Sequence, residues 1–232
     1  MRMIKAALFA AMLVLGVAAP ASAQDASETA EQLTVRGFQA YQRGDYATAA
    51  ALYTRACDEG EPVACYNLAM NYSRGHGVAQ DFTRAAALFT RACDGGDADG
   101  CFKLGMLLRE GSGVTQDYAR AATYLNRACD GGNAMACTAL GGQYEDGRGV
   151  AQDHARAVSL YDHACDGGEV VACTNLAVVY IEGRGVAEDY VHAEQLIHRA
   201  LALNPSYQRA QEIGLLIELH QLRVELQALT AR

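Results

Sequence analysis

Hydrophobic and polar positions along the chain repeat on two length scales. On the short scale, Cys65, Leu68, Ala69 and Tyr72 are separated by steps of three, one and three, which trace one face of a helix. Ala85, Leu88, Phe89 and Ala92 trace a second such face. Between the two lies Gly75-His76-Gly77-Val78. The first glycine is placed to end a helix, because the position after a helix favours the left-handed conformation. Val78 is expected to plug the core. Asp81 is a good N-cap for the second helix, and Gly95 and Gly96 are placed to end it.

On the long scale the pattern returns every 36 residues, in rows that start at Cys65, Cys101, Cys137 and Cys173. Leu is fourth in each row (Leu68, Leu104, Leu140, Leu176), and a small residue follows it. Asp recurs at 81, 117, 153 and 189, and Ala at 85, 121, 157 and 193. Each row predicts two short antiparallel helices. One pair cannot bury both its faces, so neighbours must stack. The expected fold is all-α: an α-solenoid of five helix pairs in a right-handed superhelix, with a C-terminal capping helix. In that last helix Leu215, Leu219, Leu222, Leu226 and Leu229 step by four and three. They either cover the last repeat or form a heptad seam for a homodimer.

This arrangement resembles the Sel1-like repeat family, and the tandem Cys-x7-Cys form resembles the Helicobacter cysteine-rich proteins. The resemblance spans Val35 to Gln208. At the front, Gly37, Gly44-Asp45-Tyr46, Ala49, Tyr53 and Ala56 match the spacing of a tetratricopeptide repeat. At the back, Leu201 stands where Cys is expected, and Ala200 to Pro205 again resembles a tetratricopeptide ending. The expected organisation is a signal peptide over 1–23, an N-terminal segment over 24–34 and a tetratricopeptide-like pair over 35–64. Sel1-like repeats follow over 65–100, 101–136, 137–172 and 173–208, with the capping helix over 209–232.

The leader reading rests on Arg2 and Lys5, the apolar run Ala6 to Ala18, and the small-residue site Ala21-Ser22-Ala23. The apolar run is short for a bilayer span, and no Cys follows the cleavage site to carry a lipid. The expected location is the periplasm of a Gram-negative cell, or the outside. Without the leader the net charge falls from −8 to −10, so nucleic acid and anionic membrane surfaces are poor partners.

Eight cysteines in an exported chain point to disulfides. Residues eight apart across a turn between antiparallel helices can bring their Cβ atoms together. The predicted bridges are Cys57–Cys65, Cys93–Cys101, Cys129–Cys137 and Cys165–Cys173, and the resemblance implies the same pairing. Each nine-residue loop stabilises by about 2.5 kcal/mol in the chain-entropy picture. Zinc sites favour Cys-x2–4-Cys and redox sites Cys-x-x-Cys, neither of which occurs. No metal and no cofactor is expected. A cysteine-rich branch among mitochondrial assembly factors is associated with haem or thiol chemistry, and the spacing here argues against that role.

The cysteine-rich relatives are associated with penicillin binding and weak β-lactamase activity, which the resemblance carries as an alternative function. Serine β-lactamases need Ser-x-x-Lys and Lys-Thr-Gly. Neither is present, and beyond residue 23 Lys103 is the single lysine. The six histidines are scattered through columns filled elsewhere by Arg, Tyr or Thr. No catalytic residue can be named.

The favoured function is therefore a binding scaffold for an envelope protein or peptide. Solenoids of this kind bind along the face lined by the first helix of each pair. The outward columns there hold Tyr66, Met70 and Ser73; Phe102, Met106 and Arg109; Thr138, Gly142 and Glu145; Thr174, Val178 and Ile181. The aromatic and Met residues of the first two rows offer adaptable apolar contacts, and Arg109 with Lys103 offers a grip for a carboxylate. Tyr66 and Phe102 can alternatively pack against the neighbouring repeat.

Overall fold

A computed structural model describes residues 28–230. The leader expected over 1–23 lies outside the described residues. Within them the chain forms helices α1 (Ala30–Gln42), α2 (Tyr46–Asp58), α3 (Pro62–Arg74), α4 (Phe82–Asp94), α5 (Ala98–Glu110) and α6 (Tyr118–Asp130). They continue as α7 (Ala134–Asp146), α8 (His154–Asp166), α9 (Val170–Glu182), α10 (Tyr190–Leu203) and α11 (Gln208–Thr230). No strand occurs among the described residues. Each helix packs against the next in the chain, which makes the molecule an α-solenoid.

The caps explain the regular lengths. Asp81, Asp117, Asp153 and Asp189 each accept a hydrogen bond from the backbone N–H three residues on, at the starts of α4, α6, α8 and α10. Glu61, Asp97, Asn133 and Glu169 cap α3, α5, α7 and α9. These four helices begin three residues before Cys65, Cys101, Cys137 and Cys173, so each of those cysteines sits in a first turn. Rows counted from the cysteines therefore start inside the helices rather than at their caps. Gly75 ends α3 at φ 72°, in the left-handed region.

The next glycine of the loop does something else. A Cβ on Gly77 would lie 2.1 Å from the Tyr46 carbonyl oxygen, and one on Gly149 would lie 2.3 Å from the Tyr118 carbonyl carbon. Each such loop is pressed against the start of the second helix of the preceding pair. Val78, Val114, Val150 and Val186 are partly buried against the core clusters, as the plug reading expects.

The core is built from small residues facing large ones. Ala85, Ala92, Ala121, Ala128, Ala164, Ala193 and Ala200 are fully buried. Where the first helix of a pair carries Gly37, Gly105 or Gly141, the facing helix carries Tyr53, Leu125 or Tyr161 in the space a Cβ would need. Both tyrosines are buried, and burial pushes the Tyr53 hydroxyl up to about 12.

All four predicted bridges are present, and among the described residues no cysteine is free. Their Cα atoms lie 4.5–4.7 Å apart. An arginine from the following pair reinforces the joint beneath it. Arg91 donates to the Cys57 carbonyl at 2.6 Å and pairs with Asp58; Arg127 donates to the Cys93 carbonyl at 2.9 Å and pairs with Asp94.

α11 covers the last pair differently from the expectation. It buries Ala210, Ile213 and Ile217, while Leu215, Leu219, Leu222, Leu226 and Leu229 are all exposed. The stripe that caps is offset from the leucine stripe that sequence periodicity brings forward.

Candidate functional site

The first helices α5, α7 and α9 lie side by side and enclose an open groove of about 740 Å³. α5 supplies Phe102, Met106, Arg109 and Glu110. α7 supplies Met135, Thr138, Ala139, Gly142, Gln143 and Asp146, and α9 supplies Val171 and Asn175. Gly142 opens the floor: a Cβ there would stand 3.6 Å from the Tyr161 hydroxyl, which lines the groove behind it. The lining mixes Met and aromatic surface with both signs of charge, Arg109 and Arg148 against Glu110, Asp146 and Glu169.

Two buried polar groups shape this wall. Gln143 is 3% exposed and donates from Nε2 to the Tyr118 carbonyl at 3.3 Å, while its Oε1 has no hydrogen-bond partner. Tyr161 donates to Glu145 Oε2 at 2.8 Å, and Glu145 pairs with Arg184 of the next repeat. Burial first, and the Glu145 carboxylate second, hold the Tyr161 phenol far above its ordinary range. The hydroxyl is a fixed donor rather than an acid.

The structure gathers only part of the set expected from sequence. Phe102, Met106 and Arg109 come together at the groove. Phe102 is 9% exposed, so most of its ring packs into the core. Thr174, placed in an outward column, is fully buried and bonds the Val170 carbonyl. Lys103 does not line the groove; its ammonium lies 5.5 Å over the Phe102 ring. Glu145 is occupied by Tyr161 and Arg184. Tyr66 packs its ring 5.7 Å from Phe89, and with Met70 it lies outside the groove lining. Sequence reasoning missed Met135, which is exposed, and Gln143, which is buried. A polar residue at 143, where neighbouring rows have Leu107 and Val179, was the available signal.

Stacked helix pairs with a groove along their first helices define a repeat scaffold of the binding kind. The Sel1 repeat family matches residues 36–61, 62–97, 98–133, 134–169 and 170–205, and the chain belongs to that family. The first match falls on the pair whose spacing resembles a tetratricopeptide repeat.

Among solved structures, c5321, a protective antigen present in uropathogenic Escherichia coli strains, is 30% identical with a TM-score of 0.71. The match covers 75% of this chain and 38% of that one, so this chain spans well under half of the antigen's length. A Sel1 repeat protein from Oxalobacter formigenes is 22% identical, with a TM-score of 0.73 and coverage of 78% and 74%. The Helicobacter pylori cysteine rich protein B is 25% identical, with a TM-score of 0.45 and coverage of 65% and 98%. No curated protein matches the sequence.

Four closed disulfides are the mark of a chain that folds outside the reducing cytosol. No helix among the described residues is long and apolar enough to cross a membrane.

Proposed function

We propose that this protein is an exported scaffold of the cell envelope that captures an extended protein or peptide segment in the groove between α5, α7 and α9. The observation that carries the reading is the groove itself, which sets Met106 and Met135 beside both signs of charge along three first helices. Met106 and Met135 adapt to the side chains of a bound segment. The mixed charge of the rim selects segments that carry both signs. The leader read in residues 1–23 and the four bridges support the envelope as the place of action.

The test is capture of envelope proteins and peptides by the purified chain, compared with a Met106→Ala, Met135→Glu variant. We expect at least about tenfold weaker capture with unchanged helical circular dichroism, since adaptable apolar anchors carry much of such binding. Undiminished capture by the folded variant would place the partner on another surface.

The alternative of β-lactam hydrolysis gains no nucleophile–base pair from the groove lining. Nitrocefin turnover above background that the Met106→Ala, Met135→Glu variant abolishes would reverse this preference. A second reading concerns α11, whose exposed leucines favour pairing of two copies through that helix. Sedimentation showing a monomer at high concentration would remove it.

A further inference from the structure

Helices α4, α6, α8 and α10 share a column, one residue before a recurring Ala, that lies against the preceding stapled joint. It holds Arg91, Arg127, His163 and Arg199. Arg91 and Arg127 each reach back to a bridge-cysteine carbonyl and to the Asp beside it, and Arg199 reaches Asp166 at 2.7 Å. His163 is too short for that clasp. The Asp it would meet, Asp130, instead accepts from Asn126 at 2.8 Å. The imidazole comes to rest over the Cys129–Cys137 bridge. A ring nitrogen of His163 and the two sulfurs all lie within 4.8 Å of one another. No other group of three His, Cys, Asp or Glu residues meets that criterion among the described residues. His163 is exposed, while Cys129 and Cys137 are buried, Cys129 the least so of the eight cysteines.

We propose that this joint is a latent site for a thiophilic cation of the zinc(II) type, closed while the disulfide is intact and formed when it is reduced. The inference goes beyond the groove and does not depend on it. A dithiol reductant attacks the bridge as its thiolate, forms a mixed disulfide, and closes on itself. It leaves as a cyclic disulfide, with Cys129 and Cys137 as thiols and two electrons transferred. The cation then displaces both thiol protons and takes two thiolate sulfurs and one neutral imidazole nitrogen, leaving a fourth position to water. Zinc–sulfur and zinc–nitrogen bonds of about 2.3 and 2.0 Å require the sulfurs to part and the ring to move inward. Both movements are short, because the three ligand atoms already converge. The other three bridges face arginine, which cannot ligate. The cysteine spacing alone shows no metal site, because the third ligand comes from the next repeat.

The test uses the full chain, reduced with a dithiol, desalted without oxygen, and titrated with cobalt(II) and then zinc(II). His163→Arg restores the residue that the other repeats carry, so the variant keeps the fold. The expected result is one tight cobalt site per chain, with sulfur-to-metal absorption and tetrahedral ligand-field bands, displaced by zinc. It is absent in the oxidised protein and weakened at least about tenfold in His163→Arg, by analogy with disrupted metal sites. Equal affinity in the reduced variant and the reduced parent would overturn the proposal. If reduction melts the helices, the readout becomes recovery of helical circular dichroism on adding zinc(II). Recovery in the parent and not in His163→Arg supports the site, whereas equal recovery, or none, contradicts it.

Discussion

The joints between residues 57 and 173 and the joint that carries α11 solve the same problem by different means. In the stapled joints a disulfide and a glycine-mediated close approach hold each pair against the next, and two joints add an arginine clasp. Small residues, alanines and the bridged cysteines themselves, make up most of the buried apolar side chains there, around a few large ones such as Leu68, Phe89, Leu125 and Tyr161. At the last joint Leu201 replaces cysteine, and α11 is held by Ala210, Ile213, Ile217 and the stack of Tyr190 on His220 at 3.7 Å. Covalent closure supplements a core in which small residues face large ones, whereas the last joint relies on apolar packing and ring stacking alone.

Reducing all four bridges should break this comparison most severely. At about 2.5 kcal/mol each, their summed contribution is comparable to the 5–15 kcal/mol net stability of an ordinary domain. We expect the cooperative thermal transition of the oxidised protein to collapse on reduction, as read by circular dichroism. A transition within a few degrees of the original would mean the packed core suffices without the bridges.

Ile217→Ala attacks the unstapled joint alone. Truncating a buried aliphatic residue costs about 2–5 kcal/mol. Here it should appear as faster amide exchange confined to α10 and α11, with α2 to α8 unchanged. Gly149→Ala attacks a stapled joint, where a Cβ meets the backbone of Tyr118 at a φ of 72°. We expect a loss of at least about 2 kcal/mol from strain and overlap. Gly132→Ala, also at positive φ but with nothing within 4 Å, should lose only about 1 kcal/mol. Equal losses would dissolve the role given to close approach. The smallest expected effect is that of Leu219→Glu on α11. It should leave unfolding stability within about 0.5 kcal/mol, as exposed positions do, while abolishing any pairing of copies seen by sedimentation.

The solenoid was legible because its signals are local and repeated. Asp81 and its equivalents, Gly75, and the Cys-x7-Cys spacing each act within a few residues, so caps, turns and bridges could all be read from the chain. The groove was legible only in part. Phe102 and Thr174 sit in one column, whose other members Tyr66 and Thr138 are partly exposed, and the neighbouring repeat decides how far each position is covered. Lys103 turns to the ring of its own neighbour Phe102, and Glu145 is taken by Tyr161 of its own pair and Arg184 of the next, side-chain contacts that leave no trace in periodicity. On α11 the leucine heptad outshone the stripe that packs, because periodicity reports that a face is apolar and not what lies opposite it.

The central claim is that four local bridges staple each repeat to the next. Peptide mapping by mass spectrometry on the native protein, denatured without reduction and with free thiols blocked, tests it most directly. The expected result is no blocked thiol and four links, each joining cysteines eight residues apart. Blocked thiols in folded protein, or links between cysteines of different pairs, would contradict it.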